Sequence, residues 1–484
     1  MIRVANKKWG AHPVISPSTV QHKSSYCRGE MKDPSQRLLW TLVFGLLVLA
    51  AGEFLLRGPV RFARAKDFND FLSPYIQTRA WAKGADPYSP ANLVALWPTD
   101  AQRADFLTTD LADGSLVRKR GIPTAYPPTV FPLLASVAWL PWHFAHKVWL
   151  ALSLLAFGAT VFSLVSLNKL NWRQQQTYIF LALALALAPF HTALATGSIV
   201  IVAVGFCALA VLASDRQWNI AAGLFCGLAA ALKPQIGLPF IFYYLLRRRW
   251  GVVLSSAALL VILAGIAVSH LAIDHTPWID NYKYDNQLLF ARGSLGDFTE
   301  SDPIRFSLVN LQVLLYTFVP DRMTANVVAL LITSVLGLLW LWLLLLNRHP
   351  GTHDQLLELA TLAVLSLLPV YHRLYDTSLL IFPLAWCLVE LRRIHKRLAK
   401  EVLLLVLVFL VPGGSALEQL QHTSHLVALQ HSWFWAHIVM PHQVWVLLFL
   451  SGLLLAAMRK NLRDDQRSTT RTDAASSSST LATR

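Results

Sequence analysis

The segment DFLSPYIQTRAWAKGADPYSP opens on Asp70 and follows closely on an apolar run long enough to cross a bilayer. A carboxylate held at a membrane surface beside an aromatic-rich loop can act as a general base on a hydroxyl brought to it by, or for, a lipid-carried substrate. Asp67, three residues upstream, is the second candidate for that role. Asp86 stands before Pro87 and just after Gly84, a grouping that reads as a turn. The intervening stretch from Phe71 to Trp81 is expected to form a helix lying on the membrane, with Gln77 and Arg79 toward water.

Two further places hold groups that could meet an anion. Lys233 precedes Pro234 at a break between two short apolar runs. A lysine at membrane depth is costly and faces either a cavity or a partner, and a phosphate is a suitable partner; the plain alternative is a lysine snorkelling to the interface. The connection Tyr371–His372–Arg373–Leu374–Tyr375–Asp376 is crowded with polar and aromatic groups for a turn between apolar segments. Arginine's fork of donors suits a phosphate or pyrophosphate. Asp376 is placed to orient Arg373 or to meet sugar hydroxyls, and the plain alternative is an Arg–Asp pair capping a helix. Tyr126 before Pro127–Pro128, and the Thr196–Gly197–Ser198 turn, complete the polar set at helix ends.

The elements that would position these groups are helices in a membrane. Hydrophobic residues make up 55% of the 484-residue chain and charged residues 14%, against roughly a quarter charged in a soluble domain. The formal charge of +15 comes from 42 Lys+Arg against 27 Asp+Glu. It sits in short loops between apolar runs, where it sets orientation rather than marking a nucleic-acid partner. Arg247–Arg249, Arg392–Arg393 with Lys396–Arg397, and Arg459–Lys460 mark cytoplasmic ends. Twelve crossings place them all on one side, provided that the runs 129–142 and 304–320, the latter carrying Asn310 and Gln312, are surface or re-entrant pieces. The expected fold is therefore an all-α polytopic membrane protein of about twelve transmembrane helices, with surface helices in a first outer loop over 57–125. A basic cytoplasmic tail covers 1–37, the membrane domain 38–463, and a disordered cytoplasmic tail 464–484. Both termini are expected in the cytoplasm, with the site on the outer face of the plasma (inner) membrane.

The four cysteines form no CxxC, which suggests neither a metal site nor a disulfide framework. His422, His425, His431, His437 and His442 match no zinc spacing. No cofactor and no metal is indicated; a divalent ion is left open. A Walker loop and GxGxxG are both missing, which argues against ATP-driven transport within this chain.

In order, the chain carries Asp70 fourteen positions before the Gly84 of Gly-Ala-Asp-Pro-Tyr, then AYPP, TGSIVIV, GLAAALKPQIGLPF with RRRW, and SLVNLQVLL. This order resembles glycosyltransferase family 87, the polyprenol-phosphate-mannose-dependent mannosyltransferases of the GT-C superfamily. The resemblance implies a GT-C-like fold and an inverting transfer of a hexose, mannose first, from a polyprenyl-phosphate sugar to a hydroxyl of a lipid or glycan acceptor. It makes Asp70 the base, with Asp67 behind it. Lys233, His372 and Arg373 are then expected to hold the donor phosphate. Tyr75, Arg79, Tyr126, Ser198, Tyr375 and Asp376 are expected around the sugar and the acceptor. Gly197–Ser198 stands where the family often has Gly-Gln, and the 371–376 turn departs from a Trp-Asp-His type. Two other functions compete. A transporter or flippase would bury ionisable residues mid-helix and repeat its halves; an oligosaccharide ligase or polymerase usually depends on a larger late outer loop than 414–440.

Overall fold

The computed structural model describes residues 34–64, 70–98, 107–109, 116–118, 126–273, 277–347, 351–393, 395–411, 413–414, 417 and 432–481. Asp67, His422, His425 and His431 lie outside them. The chain divides into two compact units, 1–42 and 43–484; the described part of the first is the opening turns of a helix.

The helices are α1 (Pro34–Leu55), α2 (Arg61–Arg64), α3 (Leu72–Ala82), α4 (Pro90–Ala95), α5 (Val130–Ala138), α6 (Trp142–Leu167), α7 (Gln175–Ala186), α8 (Ala188–Thr196), α9 (Val200–Asp215), α10 (Asn219–Leu232), α11 (Pro234–Leu246), α12 (Trp250–Ile273), α13 (Trp278–Leu289), α14 (Leu311–Phe318), α15 (Arg322–Leu346), α16 (Thr352–Leu365), α17 (Ile381–Glu390), α18 (Lys396–Leu407) and α19 (His442–Leu481). A short antiparallel ribbon pairs Leu107–Thr109 with Leu116–Arg118, and a 3-10 helix, Leu374–Leu380, leads into α17.

Among the described residues, five helices are long and apolar enough to cross a membrane, or six when α7 and α8, bent by 47° at their junction, count as one span. That is fewer than the twelve crossings expected from the sequence. The difference lies in length: α9, α10 and α11 have 16, 14 and 13 residues, short of the ~20 that a bilayer asks of a single helix. The nine residues of α5 and eight of α14 are shorter still, in the two runs not counted among the twelve.

The long spans carry their apolar surface outward, with Leu254, Leu330 and Trp342 all more than half exposed, as helices facing lipid do. By contrast, α9, α16 and α17 are buried nearly all round and form the core. The α10–α11 hairpin closes tightly because Gly237 lies on the backbone of Ala230, where a Cβ would find no room. At the end of α11 away from Lys233, Arg247 pairs with the buried Glu358, which also accepts from Tyr243 and Asn347.

Two expectations change. Helix α3 does form over the expected residues, but it does not lie on a membrane with its polar side in water. It packs against α5, and of the two residues expected in water Gln77 is 0% exposed and Arg79 is half-buried, donating to the Tyr75 hydroxyl. The helix of α19 continues to Leu481, over a stretch expected to be disordered. No Gly or Pro lies between Arg459 and Leu481 to stop it.

Candidate active site

Asp70 is fixed from three directions. Its backbone N–H donates to the Thr196 carbonyl at 2.6 Å, at the end of α8. The next ring, Phe71, stacks on Trp149 of α6 with centroids 4.5 Å apart and planes within 4°. Trp149 in turn donates its indole N–H to the Gly197 carbonyl at 2.9 Å. Gly197 ends α8 with φ +70°, a left-handed geometry that a side chain would strain. Beyond Asp70, α3 is pinned by the Tyr75 hydroxyl donating to the Leu140 carbonyl (2.8 Å) and by the Trp81 indole donating to Ala267 of α12 (3.1 Å). The acid thus hangs from a rigid corner where α3, α6 and α8 meet.

The basic groups come from two other elements. Lys233 is the residue between α10 and α11, where Pro234 restarts the chain. Its ammonium pairs with the Asp376 carboxylate and lies 4.9 Å over the Tyr375 ring, a cation–π arrangement. Asp376 is fully buried. It also accepts from His372 Nδ1 and from the Arg373 backbone N–H, each at 3.1 Å, and so caps the 3-10 helix. The other ring nitrogen of His372 meets the Ser366 carbonyl at 3.0 Å. Arg373 points elsewhere: one terminal nitrogen donates to the Leu295 carbonyl at 3.3 Å, and its buried Nε has no partner. On the opposite wall, Thr129 donates to the Ala231 carbonyl (2.9 Å), and Tyr88 donates to the Tyr126 carbonyl (2.7 Å). These bonds hold the Tyr126 turn against the end of α10.

These elements bring one set of charges together. The Asp70 carboxylate is within electrostatic reach of Arg373 and Lys233 and lies near the Tyr375 hydroxyl. Burial nonetheless pushes its carboxyl above the usual carboxylate range, against the opposing pull of Arg373 and Lys233. Its Oδ2 is shielded from solvent and has no hydrogen-bond partner. Burial holds back ionisation of the Tyr126 and Tyr371 hydroxyls, and the Asp70 charge adds to it at both. A buried carboxylate of raised basicity with one open oxygen can accept a proton from an incoming hydroxyl. Arg373 beside it can balance an anion that forms nearby.

Residues 124–284 match the model of glycosyltransferase family 87. The match indicates a membrane glycosyltransferase, and the GT-C superfamily assignment is consistent with it. The family 87 segment holds Tyr126, the Thr196–Ser198 turn and Lys233. Asp70, Arg373 and Asp376 lie outside it, with Asp70 bonded to Thr196 and Asp376 paired with Lys233 inside it. No curated protein and no solved structure matches the chain.

Set against the expected residues, the geometry separates two groups. Asp70, Tyr126, Lys233, Arg373 and Tyr375 converge. Tyr75 and Arg79 bond each other: the Tyr75 hydroxyl donates to the Leu140 carbonyl and accepts from an Arg79 donor at 2.9 Å. Ser198 is buried at the base of the turn, its N–H on the Ala193 carbonyl at 2.9 Å. His372 has both ring nitrogens engaged and is 0% exposed, so it steadies Asp376 rather than reaching for a phosphate. Asp376 has its oxygens taken by Lys233, His372 and the Arg373 N–H, so it holds the turn instead of reading hydroxyls. Asp86 makes the expected turn, accepting the Tyr88 N–H at 2.8 Å, with Asn281 on its other oxygen. His437 and His442 each bond a nearby carbonyl, and no three metal-ligating residues gather among the described residues. Tyr371, named within the 371–376 turn from the sequence but given no role there, lies with Arg373 near Asp70.

Proposed function

We propose that the chain transfers a hexose, mannose first, from a polyprenyl-phosphate sugar to a hydroxyl of a lipid or glycan acceptor, with inversion. The carrying observation is the open, buried Oδ2 of Asp70 beside Arg373. In this reading, Asp70 takes the proton of the acceptor hydroxyl as the acceptor oxygen bonds to the sugar C1. The bond from C1 to the phosphate oxygen breaks on the opposite face, and the polyprenyl phosphate leaves with the electron pair. A leaving phosphate needs its charge balanced more than it needs a proton. Arg373 is the cation available for that task, because Lys233 is already matched by Asp376. Lys233 and His372 act through Asp376, keeping the Arg373 turn in place.

The same reading sets the site at the outer face of the plasma membrane, with both termini in the cytoplasm, since the arginine-rich turn at 247–249 follows α11 at the end away from Lys233. Purified protein incubated with polyprenyl-phosphate mannose and a membrane-lipid acceptor tests the reaction. Release of polyprenyl phosphate together with mannosylated product is expected from the wild type and not from Asp70→Asn. Release that is unaffected by this substitution would remove the base from the reaction.

A further inference from the structure

The segment before α14 and the Arg373 turn form a small two-stranded wall. Leu308 and Arg373 pair as an antiparallel bridge. Val309 donates its N–H to the His372 carbonyl at 3.0 Å, and Leu311 donates to the Leu368 carbonyl at 2.9 Å. Leu308 (φ −80°, ψ 142°) and Asn310 (φ −82°, ψ 157°) are both extended, so successive side chains alternate between the two faces. One face carries Val309 and His372, each 0% exposed. The other carries Leu308 and Asn310 with Tyr371 and Arg373. Tyr371 and Arg373 are the two that reach the charge of Asp70.

Asn310 is unexplained by capping, on a face where Leu308 and Tyr371 pack with Phe298. It precedes α14 at the capping position, yet its side chain makes no capping bond. It is 4% exposed, and its buried Oδ1 has no partner. A buried amide oxygen left open is costly and calls for a partner such as water, an ion or a bound group. Arg373 Nε on the same face is likewise buried and open.

Building on the transferase reading, we propose that this face of the wall is the sugar subsite: Asn310 reads hydroxyls of the transferred hexose while Arg373 takes the phosphate that carries it. The ligand is then a hexose joined to a phosphate, recognised at both parts by residues two positions apart on facing strands. Asn310 meets the ligand directly; Tyr371 borders it through Arg373.

Binding to the full-length Asp70→Asn protein, which holds donor without turning it over, separates the two parts of the ligand. The probes are polyprenyl-phosphate mannose and polyprenyl phosphate without sugar. Asn310→Ala is expected to weaken the sugar-bearing lipid about tenfold, the size of one net hydrogen bond of ~1.4 kcal/mol, and to leave the bare phosphate lipid unchanged. Arg373→Ala is expected to weaken both. Equal weakening of the two lipids by Asn310→Ala, or no weakening of either, would overturn the subsite. Asn310→Ser, which retains a group suited to a helix start, is read by the same ratio should the alanine variant not fold. Transfer by the wild type with no effect of Asn310→Ala removes the subsite alone; transfer by Asp70→Asn removes the reading beneath it.

Discussion

Replacing Asp70 by Asn should move activity and stability in opposite directions. The two side chains are nearly the same size, so the corner made by Thr196, Phe71 and Trp149 stays intact. What is lost is a proton acceptor. General-base catalysis is worth roughly 10²–10⁴ in rate, or about 3–5 kcal/mol of barrier at 1.36 kcal/mol per tenfold. Folding responds the other way. Burial raises the Asp70 carboxyl above its unfolded value, so the native state pays to ionise it as pH climbs from the unfolded pKa of about 3.9 through the native one. The amide carries no such cost. The variant should match wild-type stability in acid and equal or exceed it at pH 7. Mannose transfer from a polyprenyl-phosphate donor and thermal unfolding in detergent, each followed from pH 4 to 8, measure both. Activity within about tenfold of wild type, or a clear loss of stability at pH 7, would refute the reasoning.

Lys233→Met and Asp376→Asn each leave one buried charge unmatched and should cost about 3–5 kcal/mol in unfolding measurements, with the double variant closer to wild type than either. Arg373→Ala should lower kcat by roughly 10²–10³, the loss seen when one preorganised donor to a developing anion is removed, while unfolding stays cooperative by calorimetry. Tyr375→Phe removes a hydroxyl that favours ionised Asp70; the acid limb of the pH profile of kcat/KM should shift to higher pH, since the carboxyl then holds its proton longer.

Much of the site was readable from residue type alone. Asp70 at the end of an apolar run, Lys233 beside a helix-breaking proline, and an arginine in a short aromatic turn each break a local rule, and the fold brings all three together. Pairing was not readable. The sequence offers Arg373 as the natural mate of Asp376, whereas the structure gives Asp376 to Lys233, 143 positions away. A histidine beside an arginine looks like a phosphate pair until the Ser366 carbonyl takes its second nitrogen. Helix α3 misled for a related reason: Gln77 and Arg79 look wet, and only the packing of α3 against α5 shows Gln77 buried and Arg79 half-buried. Two amides in the apolar run 304–320 gave the available signal for the wall at Asn310; read as a topology mark, they concealed a contact. Crossing number was the weakest inference, because hydropathy counts apolar runs but not whether each run forms one helix long enough to span; the break between α10 and α11 at Lys233–Pro234 was itself readable.

Asp70 is suspended from the last carbonyl of a bent pair, α7 and α8, broken by 47°. A bend of that kind is where a membrane protein absorbs mismatch between its own length and the hydrocarbon around it. Longer acyl chains pull such a pair toward straight, and the Thr196 carbonyl travels with it. Turnover in vesicles of graded lipid length should therefore pass through an optimum, making membrane thickness a control on how the acid is presented to its substrate.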